Sequence, residues 1–112
     1  MTVSQILAKK GKEVFSVLPT ITVFEALGVM SEKNIGAILI IEDNVLKGIL
    51  SERDYARKIA LKAKSSKKTL VHEIMEENVV TVKTSDKLDY CMALMDAKRV
   101  RHLPVIENDV VI

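Results

Sequence analysis

"SVLPTITVFEALGVMSEKNIGAILIIEDNVL", Ser16 to Leu46, and "TVKTSDKLDYCMALMDAKRVRHLPVIENDVV", Thr81 to Val111, align without a gap at a constant offset of 65 residues. An internal repeat of this length makes each copy one structural unit, so a reading of the first copy serves for both. In the first copy Val23, Ala26, Leu27 and Met30 stand at i, i+3, i+4 and i+7, one stripe of a helix. Leu88, Cys91, Met92 and Met95 repeat that stripe. Cys91 takes the place of Ala26 and reads as a small core residue rather than a reactive thiol. Thr22-Val23-Phe24-Glu25 has the form of a capping box and starts the first helix. The second copy has Lys87 at that place, so Ser85 or Asp86 is expected to cap instead.

Each helix is followed by a polar step and an apolar run, Ile35 to Ile41 and Val100 to Ile106, which read as short, mostly buried strands. "EDN" (Glu42 to Asn44) and "END" (Glu107 to Asp109) then lead into further apolar runs from Val45 and Val110, a hairpin signal. "VSQIL" (Val3 to Leu7) resembles "VHEIM" (Val71 to Met75), giving each copy a lead-in helix. Asp54 to Lys64, with Tyr55, Ile59 and Ala63 four apart, reads as the closing helix of the first copy, and Ser65-Ser66-Lys67-Lys68 as the linker. The second copy has no counterpart to the segment after Lys47, because Ile112 aligns with Lys47. The expected organisation is one module over residues 1–112: repeat 1 over 1–64, a linker over 65–70 and an incomplete repeat 2 over 71–112. An incomplete second repeat would leave an apolar sheet edge that invites association.

Composition narrows the function classes. With 112 residues and a hydrophobic share of 48%, the chain can bury a core without metal or disulfide staples. Its apolar runs are far shorter than the roughly 20 residues that span a bilayer, and its start "MTVSQILAKKGK" lacks a signal-peptide pattern, so no membrane partner and a cytoplasmic location are expected. The single cysteine suits a reducing compartment. A formal charge of +2 from 17 basic and 15 acidic residues implies no nucleic-acid field, and two Phe, two Tyr and no Trp leave little for stacking on bases. The densest basic stretch, Lys58 to Lys68, reads as a solvated helix end and linker, with attraction of an anionic ligand as the other reading. No nucleophile–base pair, metal-ligand spacing, Walker loop or dinucleotide fingerprint is present, so no enzyme and no catalytic cofactor are expected. His102, beside Arg101 on a strand, lacks the carboxylate or cysteine spacing of a metal site, and His72 is expected on the surface.

The stretch Gly48-Ile49-Leu50-Ser51-Glu52-Arg53-Asp54 has two readings. Ser51 is a good N-cap, and an acid three residues on completes a box-like first turn with no ligand needed. A helix N-terminus also favours a phosphate, Arg53 can add a charge-assisted contact to it, and the Asp54 carboxylate can accept hydrogen bonds from two vicinal ribose hydroxyls. On these grounds Asp54→Ala is expected to weaken binding and spare the fold.

"MSEKNIGAILIIEDNVLKGILSERD" in the first copy and "MDAKRVRHLPVIENDVV" in the second carry a family resemblance. Together they resemble a tandem pair of CBS domains, a Bateman module, over nearly the whole chain. The resemblance implies an α/β (α+β) fold of two pseudo-symmetric β-α-β-β-α repeats packed through their sheets, the second truncated. It implies a non-catalytic, energy-sensing regulatory role and an adenosine-containing ligand (AMP, ADP, ATP, NAD(H) or S-adenosylmethionine) in a cleft between the repeats, with occupancy transmitted to an unidentified protein partner. Ligand residues implied for the first cleft are Ser51, Arg53 and Asp54, with Ile35, Gly36 and Ala37 on the near wall and Thr81, Val82, Val100, Arg101 and His102 opposite. A second cleft would use Ser16, Val17 and Arg101. Homodimerisation is implied as well. The alternative is a structural dimerisation module with a vestigial pocket, supported by the missing second motif and the Met-rich faces (Met30, Met75, Met92, Met95), although Met at helical spacing is usually core.

Overall fold

The computed structural model describes residues 1–10, 14–98, 102–107 and 110–111, and divides into two compact units. One is continuous, Phe15–Asn78. The other joins Met1–Val14 to Val79–Ile112.

In the continuous unit β1 (Ser16–Val17) lies parallel to β2 (Ala37–Glu42), with α2 (Val23–Lys33) as the crossover, and β2 pairs antiparallel with β3 (Val45–Ser51). Asp43 and Asn44 take φ values of 53° and 64° at the hairpin turn, the left-handed pair that a two-residue turn between right-twisted strands requires. The capping box of α2 is present: the Glu25 N–H donates to Thr22 Oγ1 at 3.1 Å, and Glu25 Oε1 accepts from the Thr22 N–H at 3.3 Å. Asn34 ends the helix in the left-handed region at φ 56°. Val23, Ala26 and Met30 are buried in one core with Ile38, Ile40, Leu50, Ile59, Val71 and Ile74, and Leu27 packs against it, so the periodic stripe does face inward.

The closing segment departs from the expected helix over Asp54 to Lys64. Its helix begins earlier, as α3 (Glu52–Tyr55), and continues as a π-helical turn over Ala56–Ala60, with the Leu61 N–H donating to the Ala56 carbonyl at 2.9 Å. Tyr55 and Ile59 pack into the core, whereas Ala63 lies past the helix at φ 55°. Residues 60–65 are exposed, so no apolar contact holds a further helical turn onto the core. The lead-in of the second copy is likewise only a 3-10 turn, Val71–Glu73. It stops there because Glu76 is drawn into an extended bridge with Ile49, each N–H donating to the other's carbonyl at 3.0 and 2.9 Å.

In the discontinuous unit α1 (Val3–Lys10) joins α4 (Leu88–Lys98) around Val3, Val82 and Cys91, with Leu7, Leu94, Leu103 and Val105 packed against them. Val82 bridges Val105 in parallel, and β4 (Ile106–Glu107) pairs with β5 (Val110–Val111). Shifted by 65 residues, these pairings reproduce Val17 with Ile40, Ile41 with Leu46 and Glu42 with Val45. The repeat thus extends to hydrogen-bond register.

Three details of this unit correct the sequence reading. Neither Ser85 nor Asp86 caps α4: the Asp86 carboxylate turns back to accept from the Lys83 N–H at 2.7 Å, and the Leu88 N–H donates instead to the Met1 carbonyl at 2.8 Å. Met92 is 60% exposed, so the inward stripe of α4 narrows to Cys91, with Leu94 beside it. Residues 102–104 form no strand; regular pairing starts at Val105, after Pro104, which has no N–H to give to a ladder. No helix among the described residues is long and apolar enough to cross a membrane.

Candidate functional site

Strand β3 ends at Ser51, whose backbone is extended at φ −119° and ψ 163° and whose side chain caps the helix that follows. The Asp54 N–H donates to Ser51 Oγ at 3.2 Å, and Asp54 Oδ2 accepts from the Ser51 N–H and hydroxyl, each at 3.0 Å. This is the capping reading in full. It leaves the second carboxylate oxygen for other work: Oδ1 lies 3.4 Å from Lys58 Nζ and retains lone-pair capacity for a hydroxyl donor. The Asp54 side chain is only 16% exposed, so a donor that reaches it meets a partly desolvated carboxylate. Arg53, next to it, is exposed and makes no ion pair among the described residues.

The hairpin register places Ala37 opposite Ser51, and the Glu52 N–H donates to the Gly36 carbonyl at 3.0 Å. The expected near wall therefore adjoins the Ser51 turn. Beside it a cavity of about 320 Å³ is lined by Leu27, Met30, Ser31, Asn34, Ile35, Gly36 and Glu52. A Cβ built on Gly36 would meet no atom within 4 Å, so the missing side chain opens space rather than admitting a packed neighbour. Five of the lining residues were not singled out as ligand residues from sequence. Glu52 lay inside the quoted motif without a role, and Asn34 was legible only as a polar step before a strand.

Ser16 and Val17 lie in β1 of this same unit, Ser16 exposed and Val17 half-buried. Thr81, Val82 and His102 belong to the discontinuous unit. There Val82 is buried, its N–H donates to the Pro104 carbonyl at 3.0 Å, and its carbonyl accepts from the Ile106 N–H at 2.9 Å. Thr81 is half-buried and His102 exposed. Val100 and Arg101 lie outside the described residues.

The Cys91 thiol is buried, and that burial, reinforced by the Asp86 carboxylate, pushes its pKa up. It is a protonated core group at neutral pH, in keeping with its alignment to Ala26. Among the described residues no three His, Cys, Asp or Glu side chains gather as a metal site.

Comparison with known proteins follows the same two copies. The CBS domain profile matches residues 3–61 and 71–112. CBS domain-containing protein CBSX3, mitochondrial, of Arabidopsis thaliana is 39% identical over 96% of this chain, and the chain spans 56% of that protein's length. The crystal structure of the CBS domain protein NE2398 superimposes with a TM-score of 0.96 at 44% identity, covering 100% of this chain and 87% of that one. The CBS domain pair of protein MJ0100, solved in complex with 5-methylthioadenosine and S-adenosyl-L-methionine, shares the fold at a TM-score of 0.84 and 24% identity, covering 98% of this chain and 83% of that one.

Proposed function

The chain belongs to the CBS-domain family as a tandem pair, a regulatory module, and on that premise we propose that it is a non-catalytic sensor of an adenosine-containing ligand. The observation that carries this reading is the juxtaposition of Gly36 and the Ser51 turn. One backbone hydrogen bond joins them, open space lies over Gly36, and Asp54, on the turn but not among the cavity's lining residues, keeps lone-pair capacity at the Oδ1 that faces Lys58. A glycine that no packing demands and a nearby carboxylate with lone pairs left to accept from hydroxyl donors together suit a nucleoside.

Ser51 and Arg53 are assigned to the phosphate or its equivalent, Asp54 to the ribose hydroxyls, and Ile35, Gly36 and Ala37 to the wall against the base. The resemblance adds Thr81, Val82, Val100, Arg101 and His102 to these, and assigns Ser16, Val17 and Arg101 to a second site. The MJ0100 pair, which holds two adenosine compounds, supports the ligand class through the common fold. AMP, ADP, ATP, NAD(H) and S-adenosylmethionine are all compatible with it. Occupancy alters the module's affinity for a protein partner by no more than the ligand's preference between the two states. We further assign homodimeric assembly and a reducing, cytoplasmic setting, which suits the lone buried thiol of Cys91.

A thermal-shift panel of these five ligands with a guanine control, run on the native chain and on Asp54→Asn, tests the reading. An adenine-selective rise in Tm that the variant loses is the expected result. No shift with folded protein would instead favour a structural dimerisation module, for which Tyr90 and Met92, 52% and 60% exposed on α4, offer apolar surface.

A further inference from the structure

Lys58 stands in the π-helical turn at a junction of two contacts. Its ammonium donates to the Ile74 carbonyl at 2.8 Å and lies 3.4 Å from Asp54 Oδ1. Both partners belong to the continuous unit and flank segments with separate tasks: Asp54 the candidate ligand turn, and Ile74 the chain that leaves this unit after Asn78 towards Thr81. Two residues beyond Ile74, Glu76 is locked to Ile49 by a reciprocal pair of backbone hydrogen bonds, and Ile49 is two residues before Ser51 on β3. The contacts therefore close a ring: Ser51 to Asp54, Asp54 to Lys58, Lys58 to Ile74, along the chain to Glu76, across to Ile49, and back along β3 to Ser51. Two of those links involve one flexible cation, and every other link is backbone or a capping box.

We propose that Lys58 is a positioning residue that couples Asp54 to the Ile74–Glu76 segment, so that what binds at Asp54 changes the hold on the connection to the second unit. This deepens the sensor reading and rests on it for the ligand. The physical basis is that an ammonium has three donors and a carboxylate oxygen two lone pairs. A hydroxyl arriving at Oδ1 need not evict Lys58; it immobilises the carboxylate, which holds the ammonium against Ile74 and tightens the bridge beyond it. The basic run Lys58 to Lys68 thereby divides, its first member serving the site and its other lysines, Lys62, Lys64, Lys67 and Lys68, exposed.

Spatial intermediacy alone is not coupling, so the test is a double-mutant cycle. Amide hydrogen exchange at Glu76 and Ile49 is measured without ligand in the native chain, Asp54→Asn, Lys58→Met, the double variant and Lys58→Arg, with the Ile40 amide of β2 as internal reference. Asp54→Asn and Lys58→Met are each expected to speed exchange at Glu76 by about three- to tenfold, the loss of one partly exposed charge-assisted hydrogen bond, with Ile40 unmoved. The double variant should exchange no faster than the faster single one, and Lys58→Arg should restore protection. Multiplying effects in the double variant, or native exchange at Glu76 in Lys58→Met, would overturn the coupling. With saturating AMP, protection at Glu76 is expected to rise in the native chain and stay flat in Lys58→Met; an equal rise in both also overturns it. Absence of any AMP effect in the native chain would count against the nucleotide reading, and the ligand-free cycle would still decide the role of Lys58.

Discussion

Ser51 and Asp54 satisfy one another across the first turn of a helix: the Asp54 N–H donates to Ser51 Oγ at 3.2 Å while Asp54 Oδ2 accepts from the Ser51 N–H at 3.0 Å. The pair has a structural role that needs no ligand. Asp54→Ala therefore does not spare the fold, as the sequence suggested it would; it strips half of the capping box and is expected to cost about 1 kcal/mol in a denaturation titration. Asp54→Asn keeps an oxygen facing the Ser51 N–H and should cost less than half of that. Affinity separates the roles: both variants should lose ligand-induced stabilisation, because the amide is a poorer acceptor for two hydroxyls than the carboxylate.

Gly36→Ala adds a methyl group where no atom lies within 4 Å, on the rim of the cavity. Its Tm without ligand should match or slightly exceed that of the native chain, because alanine restricts the unfolded state. Affinity for the adenosine ligand should fall about tenfold or more. A drop in Tm with unchanged affinity would show that Gly36 serves packing, and the cavity would lose its assignment.

Gly48 and Gly28 should respond to alanine with opposite signs. A Cβ on Gly48 would stand 2.8 Å from the Glu76 carbonyl oxygen and 2.9 Å from Met75 Sδ. The sulfur can move and the backbone cannot, so Gly48→Ala should force apart the Ile49–Glu76 bridge at a cost of about 1–3 kcal/mol. Gly28 is an exposed interior residue of α2 with nothing within 4 Å of its Cβ position, and Gly28→Ala should stabilise by up to about 1 kcal/mol. Urea titrations of the two variants read both effects.

Cys91 sets a pH dependence on the alkaline side. Its folded pKa is raised, by burial first and by Asp86 second, so on raising the pH the unfolded chain gives up its thiol proton before the folded chain does. The native state then binds more protons, and stability falls as pH climbs through the unfolded thiol's pKa and beyond. Cys91→Ala, which installs the residue found at Ala26, should remove that alkaline decline while lowering stability at neutral pH by about 1 kcal/mol for the smaller side chain. Melting curves between pH 7 and about 10 would show the two lines converging.

How much was legible in the sequence depends on the range of the interaction that decides each feature. The inward stripe Val23, Ala26, Met30, the Thr22 capping box, the Asp43–Asn44 turn and the Ser51–Asp54 box are decided within a few residues, and spacing revealed them. The start of α4 is decided by the Met1 carbonyl reaching the Leu88 N–H, for which no local pattern exists. The short lead-in at Val71 follows from the pull of Ile49 on Glu76, and the early end of the closing helix from the loss of apolar cover after Ile59. At the site, the motif residues were legible as chemistry, whereas Leu27, Ser31, Asn34 and Glu52 come to line one cavity only because α2 ends where α3 begins in space.

The lead-in helix of the first copy folds with the second copy, through the Val3 N–H on the Asp86 carbonyl at 2.9 Å and the Ser4 N–H on the Thr84 carbonyl at 3.0 Å. During synthesis this imposes an order. Phe15–Asn78 can close as soon as Asn78 has left the ribosome, whereas α1 emerges first and waits for residues 84–86. Its apolar face, Val3 and Leu7, has no native cover over that interval, and the loop that must close is most of the chain. A nascent chain stalled when residue 80 has just cleared the exit tunnel should thus present one protease-resistant unit with a cleavable N-terminal tail, the unit boundary appearing in time before it appears in space.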